Sequence, residues 1–167
     1  MRQVRIEKLT LNIGAGKDQN VLEKGIKVLK SITGLDPVKT ITNKRLAGWG
    51  LRPGLPIGCK LTLRNEPAAS ILSRTLDARS HKLIPSQFDD NGNLSFGVPE
   101  YIDIKDAKYD PEIGIMGLQV CVTFERPGFR VKRRKIMPKK IPKHHRVTRE
   151  EAMDFMKKNF NVQIEEE

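Results

Sequence analysis

Three stretches of this chain alternate apolar with polar residues, which is the pattern of strands that bury one face. They are residues 8–13, 57–64 and 116–124. In the second stretch, Leu61 and Leu63 share the apolar face. The polar residues of the first two stretches are Lys8, Thr10, Asn12, Lys60, Thr62 and Arg64. The alternation predicts a sheet whose apolar face packs on helices and whose polar face meets either water or a polar partner.

Helical periodicity fills the intervals between these strands and the C-terminal part of the chain. Apolar stripes predict helices over about 20–33, 67–80 and 148–160. The expected N-caps are Asp18 or Asn20, then Asn65, then Thr148 in a capping box with Glu151. The order of elements predicts an α+β fold, with an antiparallel-leaning sheet and helices packed on one face, related to the split βαβ class.

Weaker signals complete the expected secondary structure. Residues 38–42 predict a short strand, and residues 101–105 a short strand or an extended loop. Asn91-Gly92 is typical of a two-residue hairpin turn. The last long strand is expected over 112–124, and the three acids that end the chain are expected to be frayed. The whole chain, residues 1–167, is expected to form a single domain.

The formal net charge of +11 is concentrated in one segment. Residues 126–146, here called the basic segment, hold ten lysine or arginine residues and no acid, and their three prolines predict an extended backbone. The rest of the chain has 21 basic and 20 acidic residues. A second stretch, residues 37–65, has six basic residues and no acid. Such segregation of charge indicates a polyanionic partner.

The charge pattern favours nucleic acid over an anionic membrane. A helix on a membrane surface is continuous and carries bulky apolar residues, whereas prolines interrupt the basic segment. No apolar run approaches the roughly 20 residues of a membrane span, and the N-terminus has no signal-peptide pattern. Cys59 and Cys121 stand apart in the sequence, so both are expected to be reduced thiols of a cytoplasmic protein.

Candidate catalytic and ligand-binding motifs are incomplete. Residues 14–17, Gly-Ala-Gly-Lys, lack the earlier glycine and the following Ser or Thr of a P-loop, although their N–H groups could still face an RNA phosphate. Residues 89–100 match part of a calcium loop, but Leu94 replaces its required glycine. His81 has no evident triad or metal partner. We therefore expect no enzyme activity, no metal site, no cofactor and no small-molecule substrate.

Trp49 lies in a loop, residues 43–56, that glycine and proline residues punctuate. The cationic residues of this loop are Lys44, Arg45 and Arg52. The chain has six Phe, two Tyr and one Trp, so an RNA partner would be recognised mainly through its backbone and shape. Trp49 either stacks on an exposed base or plugs the edge of the core.

Several stretches together resemble one protein family. Residues 9–14, 57–64 and 88–97 resemble the universal large-subunit ribosomal protein L five. Residues 109–115 and 126–131 resemble the archaeal and eukaryotic branch of that family. The resemblance extends over essentially the whole chain, in order.

The resemblance implies a structural RNA-binding protein of the large ribosomal subunit. In the family, the sheet and first-helix region dock on 5S rRNA, other surfaces touch large-subunit rRNA and neighbouring large-subunit ribosomal proteins, and one loop approaches P-site tRNA. Carried over by motif, the 5S rRNA candidates are Asn12, Lys60, Thr62 and Arg64. The tRNA-facing candidates are Lys44, Arg45, Trp49 and Arg52.

Bacterial members of the family lack the basic segment, so its role as an arm that contacts rRNA rests on charge and proline content. The candidates there are Arg126, Arg130, Lys132, Arg133, Arg134, Lys135, Lys139 and Lys140. Without RNA, this segment is expected to be mobile. Two alternatives stay open: an RNA chaperone that acts off the ribosome, and a small nucleotide-binding enzyme built on residues 14–17.

Overall fold

The computed structural model describes residues 1–165 as a mixed α+β fold. Its strands are β1 (Arg5–Gly14), β2 (Val38–Ile41), β3 (Pro56–Leu63), β4 (Lys82–Leu83), β5 (Leu94–Val98), β6 (Leu118–Glu125) and β7 (Gln163–Ile164). Its helices are α1 (Gln19–Thr33), α2 (Asn65–Asp77), α3 (Arg130–Arg133) and α4 (Arg149–Phe160). None of these helices is long and apolar enough to cross a membrane.

Five strands form one sheet in the order β2-β3-β1-β6-β5, and β4 pairs in parallel with β7. β3 therefore lies between β1 and β2, although α1 connects β1 to β2 in sequence. β1 in turn lies between β3 and β6. This insertion of one strand between two others is the split βαβ arrangement that the order of elements predicted, and the α+β fold class is confirmed.

The chain divides into two compact units. Unit 1 comprises Met1–Leu9, Arg64–Phe96 and the described residues from Cys121 onward, and unit 2 comprises Thr10–Leu63 and Gly97–Val120. Both β1 and β6 contribute residues to each unit, so the boundary cuts through strands rather than through a linker. The expectation of a single domain stays a prediction.

In unit 2, α1 packs closely on the apolar face of β1 and β3. Leu11, Ile13, Cys59 and Leu61 are buried on that face, as the alternation predicted. Gly25 of α1 permits the close approach, because a Cβ added there would lie 3.1 Å from Ile13 Cγ2 and 3.2 Å from Cys59 Sγ. The buried position raises the pKa of the Cys59 thiol.

The ends of α1 follow the sequence signals. The side chain of Asp18 accepts a hydrogen bond from the backbone N–H of Asn20 at 2.9 Å, so Asp18 is the N-cap. Gly34 ends the helix with φ of 72°, and its N–H donates to the carbonyl of Lys30 at 2.8 Å.

In unit 1, α4 begins at the predicted capping box. The Thr148 side chain accepts from the N–H of Glu151, and the Glu151 carboxylate accepts from the N–H of Thr148 at 3.2 Å. The ring of Phe155 meets the ring of Phe124 on β6 edge-on, with centroids 5.4 Å apart. α4 therefore packs on the same apolar set of β6 residues that the alternation predicted.

The start of α2 corrects one prediction. Asn65 is not an N-cap but the first residue of the helix, with φ of 58°, and Arg64 precedes it without a capping side-chain bond. The helix ends at Asp77 rather than near residue 80, because Ser80 and His81 adopt φ of 53° and 56°. Positive φ values at two successive residues are incompatible with a right-handed helix.

Two other predicted elements also differ from the structure. β6 begins at Leu118 rather than at 112, because Asp110 accepts from the N–H of Glu112 in a turn that Gly114 completes with φ of 74°. Residues 101–105 contain a 3-10 turn, Tyr101–Asp103, rather than a strand. Each shift follows from local hydrogen bonds that hydrophobic alternation does not report.

The hairpin turn before β5 is wider than predicted. Phe88 bridges Leu94, and Asp89 accepts from the backbone N–H groups of Asn91 and Asn93 at 3.0 Å and 2.6 Å. Near the C-terminus, Glu165 is not frayed, because its N–H donates to Leu83 and its carboxylate pairs with Lys82 at 2.6 Å. The expectation of fraying for the last two acids lies outside the described residues.

Candidate nucleic-acid interface

The polar face of unit 2 carries side chains from three neighbouring strands. Lys60 and Thr62 are exposed on β3, Asn12 is partly exposed on the adjacent β1, and Gln119 is exposed on β6. The amide of Asn12 donates to Gln119 Oε1 at 3.0 Å, which fixes both side chains. This face lies opposite the buried leucines and offers ammonium, hydroxyl and amide groups that suit phosphate and ribose oxygens.

The sequence identified three of these four residues by alternation and by family motif. Gln119 was missing from the predicted site, although it lies on the polar face of the stretch 116–124. The signal that would have found it is the order of strands, because only the sheet topology brings β6 next to β1.

Arg64, the fourth predicted 5S rRNA candidate, follows the last residue of β3 and belongs to unit 1. Its guanidinium lies 3.5 Å from the Glu7 carboxylate and 3.4 Å from the Glu7 carbonyl oxygen. The side chain is 54% exposed, so it keeps donors for an external partner while Glu7 orients it.

The loop of residues 43–56 in unit 2 is closed at its base and presents Trp49 at its tip. Leu46 and Leu51 exchange backbone hydrogen bonds of 3.1 Å, and a 3-10 turn joins them. Trp49 is 72% exposed, so it does not plug the core. The three cationic residues of the loop are exposed as well: Lys44, Arg45 and Arg52. An exposed indole among cations fits stacking on an unpaired base.

The turn of residues 14–17 does not provide the phosphate cradle that its glycines suggested. The N–H groups of Ala15 and Gly16 both donate to the carbonyl of Ile57, at 2.9 Å and 3.0 Å, so they are not available to a phosphate. Lys17 instead reaches the loop tip, because a Cβ on Gly50 would lie 3.7 Å from its Cδ. Lys17 therefore adds a cation to the loop surface.

The basic segment contains no long helix, as its prolines predicted, but its backbone also folds back on itself. α3 is a single turn, and a 3-10 turn spans Lys143–His145. The N–H of Lys139 donates to the carbonyl of Val131 at 3.1 Å, and the His145 ring lies 3.0 Å from the carbonyl of Pro127. The segment is thus a loop held at several points in unit 1.

Two predicted RNA-contacting residues of this segment form internal ion pairs. The Arg126 side chain is only 8% exposed and pairs with Glu151. Arg133 pairs with Glu7 and, at 2.5 Å, with Glu125, whose side chain is 5% exposed. Both guanidinium groups therefore offer fewer unpaired N–H donors to a phosphate than the charge run suggests, and their contact with RNA stays a prediction.

The remaining predicted cations of the segment point to solvent. They are Arg130, Lys132, Arg134, Lys135, Lys139 and Lys140. Arg134 Nε donates to the carbonyl of Met137 at 2.8 Å, which leaves the rest of its guanidinium free. The run of positive charge treated all eight predicted residues alike. It did not show that these six are exposed while Arg126 and Arg133 form ion pairs within the fold.

The potential metal-ligating side chains do not cluster in the described part of the chain. No group of three His, Cys, Asp or Glu residues lies close enough together to hold a metal ion there. The His81 ring lies 2.7 Å from Asp77 and 3.1 Å from the carbonyl of Phe160, so it ties the end of α2 to the end of α4.

Comparison with known proteins gives a consistent match over the chain. Residues 1–52 match the family model described as ribosomal protein L5, and residues 56–162 match the model of the C-terminal part of that family. A large ribosomal subunit protein uL5 of Sulfurisphaera tokodaii is 48% identical over 167 residues, covering 99% of this chain and 94% of the relative. The same protein of Nanoarchaeum equitans is 48% identical, covering 98% and 97%, and that of Methanosphaera stadtmanae is 46% identical, covering 99% and 98%.

Proposed function

This chain belongs to the ribosomal protein L5 family, and from that membership we propose that it binds 5S rRNA through the polar face of unit 2 and approaches P-site tRNA through residues 43–56. At the coarser level, the chain is a structural constituent of the large ribosomal subunit in the cytoplasm, and it is not an enzyme. Its partners are rRNA and neighbouring ribosomal proteins.

The observation that carries the 5S rRNA proposal is the exposed row formed by Asn12, Lys60 and Thr62. These side chains lie on adjacent strands with a rigid apolar layer behind them, so the spacing between donors is fixed before RNA binds. Lys60 would neutralise a phosphate, and Thr62 and Asn12 would bond ribose hydroxyls or phosphate oxygens. No aromatic residue stands among these three, which favours recognition of backbone and shape over base stacking.

The tRNA proposal rests on the loop geometry. Trp49 projects from a closed turn, and Lys17, Lys44, Arg45 and Arg52 supply positive charge to the same loop surface. A tRNA offers both a phosphate backbone and unpaired bases in its loops, which match the cations and the indole respectively.

The proposal for large-subunit rRNA rests on the six exposed cations of the basic segment. A run of 21 residues with ten positive charges and no acid is typical of a segment that contacts phosphates. Phosphate contacts position a protein on RNA but do not depend on the base sequence. Arg126 and Arg133 are paired with carboxylates, so they hold the segment in place and contribute less to phosphate contacts than the six exposed cations.

Binding of purified protein to labelled 5S rRNA tests the central proposal. Lys60→Ala combined with Thr62→Ala should weaken binding and remove the protection of specific nucleotides in a footprint. Lys108→Ala, at another exposed lysine of unit 2, serves as the matched control and should leave both unchanged. A wild-type protein that binds 5S rRNA no better than an unrelated RNA of equal length would refute the proposal.

A further inference from the structure

A groove of about 730 Å³ opens in unit 1 between strand residues and the basic segment. Its walls include Lys8 of β1, Thr123 of β6, the hairpin residues Asn91 and Asn93, and residues 138–141 of the segment. Grooves between roughly 300 and 1,000 Å³ are the size of sites that bind one small organic group. None of its lining residues belongs to the polar face of unit 2 or to residues 43–56.

The groove is cationic. Its free positive charges are Lys8, Lys132, Lys139, Lys140 and Arg146. The three lysines of the segment have no ion pair within residues 1–165. Glu7 is the one acid in the lining, and Arg133 and Arg64 both pair with it. An anion entering the groove therefore meets lysines and no uncompensated carboxylate.

The floor of the groove differs in character from its rim. Phe129 is partly exposed and tilts against the ring of His145 with centroids 5.9 Å apart. Ile141 and Val147 also line the groove and are buried, and Asn91, another lining residue, is exposed. A phosphate group forms no favourable contact with an apolar floor that has an aromatic edge. Such a floor suits the ring of a nucleobase, whose edge an amide can bond.

Internal contacts hold the groove open without a ligand. Arg133 bridges Glu7 and Glu125, which fixes one wall to β1 and β6. The hydrogen bond from Lys139 to the carbonyl of Val131 closes the other wall. A site whose walls are already ordered loses little conformational entropy when it binds.

We propose that this groove holds an unpaired segment of RNA, with phosphates on Lys132, Lys139 and Lys140 and one base against Phe129. The inference rests on the proposed rRNA-binding function and adds the site and the conformation of the RNA bound there. A base-paired helix buries its bases and cannot place one on Phe129, so the groove selects single-stranded nucleotides at a loop or bulge.

Two triple variants of equal charge test the inference. Lys132→Ala, Lys139→Ala and Lys140→Ala together remove cations from the groove. Arg2→Ala, Lys157→Ala and Lys158→Ala together remove three exposed cations of unit 1 that do not line it. The probes are a fluorescent single-stranded oligo(U) and an RNA hairpin of equal length. For oligo(U), each lost phosphate contact changes the slope of log affinity against log salt by about 0.7, so the groove triple should flatten it by up to about 2. The control triple should change it much less.

Two further variants report on the floor rather than on total charge. Asn91→Asp places a negative charge in the groove and should weaken oligo(U) binding, whereas Asn159→Asp, an equal change on exposed α4, should not. Phe129→Leu keeps an apolar side chain and should weaken binding of oligo(U) while leaving its salt slope unchanged. Circular dichroism and urea midpoints verify that each variant is folded.

The outcomes separate the inference from the function on which it rests. Equal losses in both triples, hairpin binding as tight as oligo(U) binding, or tighter binding of a poly-glutamate peptide would each overturn the groove as an RNA site. If the variants lose nothing while wild-type protein still binds 5S rRNA, the inference fails and the proposed function stands. If wild-type protein binds neither 5S rRNA nor oligo(U), the proposed function fails with it.

Discussion

The guanidinium of Arg133 donates to the carboxylate of Glu125 at 2.5 Å, although the two residues come from a basic segment and from the end of a strand. Glu125 is almost completely buried and also accepts from Arg5 at 2.6 Å. The most conspicuous run of positive charge in the chain is therefore attached to the fold by one of its own arginines. From the local sequence alone, Arg133 is predicted to contact RNA.

Arg133→Ala should lower the free energy of unfolding by about 1–3 kcal/mol. Removing one partner of a buried pair costs roughly 3–5 kcal/mol, but Arg133 is 45% exposed and Arg5 still compensates Glu125. Urea denaturation measures the change. Arg134→Ala in the same segment is the control, and it should stay within about 0.5 kcal/mol of wild type. Equal effects of the two variants would contradict the anchoring role of Arg133.

Leu61→Ala should destabilise the protein by about 2–5 kcal/mol, because Leu61 is 7% exposed on the apolar face of β3. Its neighbours Lys60 and Thr62 are exposed, and Ala at both positions should change stability by under about 1 kcal/mol in total. Thermal or urea unfolding of the two variants, beside 5S rRNA binding, provides the test. A stable Leu61→Ala protein that has lost RNA binding would mean that the strand faces the other way.

Trp49→Ala should leave both stability and 5S rRNA affinity unchanged while it weakens P-site tRNA binding to reconstituted large subunits. The indole is 72% exposed, so its removal opens no cavity. Loss of a base-stacking ring typically costs about 1–3 kcal/mol of binding energy. Trp49→Phe retains a ring and should recover part of that loss. A drop in isolated 5S rRNA affinity would assign the loop to the rRNA site instead.

Gly58→Ala should destabilise the sheet by about 1–3 kcal/mol, because overpacking at a backbone contact forces strands apart. An added Cβ would lie 2.7 Å from the carbonyl oxygen of Ile13, which cannot rotate away as a side chain could. Gly97→Ala is the matched control in a strand, since nothing lies within 4 Å of its added Cβ. Chemical denaturation of both variants distinguishes them, and comparable stability would contradict the close approach of β3 to β1.

Stability should fall as pH rises above about 9, in part through Cys59. Burial raises the pKa of this thiol above its ordinary value of 9.0, so the folded chain keeps a proton that the unfolded chain releases. The unfolded state then binds fewer protons and gains in relative stability as pH rises through this range. Cys59→Ala should reduce the decrease of unfolding free energy with pH in this range.

Cys121 is partly exposed, so it should react with a thiol reagent before the buried Cys59 does. Equal reaction rates of the two thiols would contradict the burial of Cys59.

Hydrophobic alternation was sufficient to predict which face of each long strand is buried, because side-chain direction in a strand has a period of two. The caps at Asp18 and Thr148 were predictable for a similar reason, since capping depends on residues only a few positions apart. The predicted N-cap at Asn65 was wrong. Its side-chain chemistry favours a cap, but its backbone has a positive φ that only the surrounding structure imposes.

The sequence predicted which strand residues of the candidate site are exposed, but it did not predict which arginines form ion pairs within the fold. Lys60 and Thr62 are exposed, as alternation predicted, whereas the sequence left open whether Trp49 is exposed or plugs the edge of the core. Arg126 pairs with Glu151, 25 positions away in the chain, and Arg133 pairs with Glu7, 126 positions away, in addition to Glu125. No local pattern encodes contacts over such separations, so charge counts treat every arginine of the segment alike.

Glu151 makes the two ends of the basic segment meet at one carboxylate. It accepts from Thr148, two residues after the segment, and from Arg126, the first residue of the segment. The segment is therefore a loop whose two ends are held together by these contacts. The entropic cost of closing such a loop rises slowly with its length, by only about 0.6 kcal/mol for each doubling. Its tip, at residues 134–137, should therefore accept inserted residues, such as a short epitope, with little loss of stability. Lengthening the chain there would change how far the exposed cations reach without disturbing the strand and the helix that hold them.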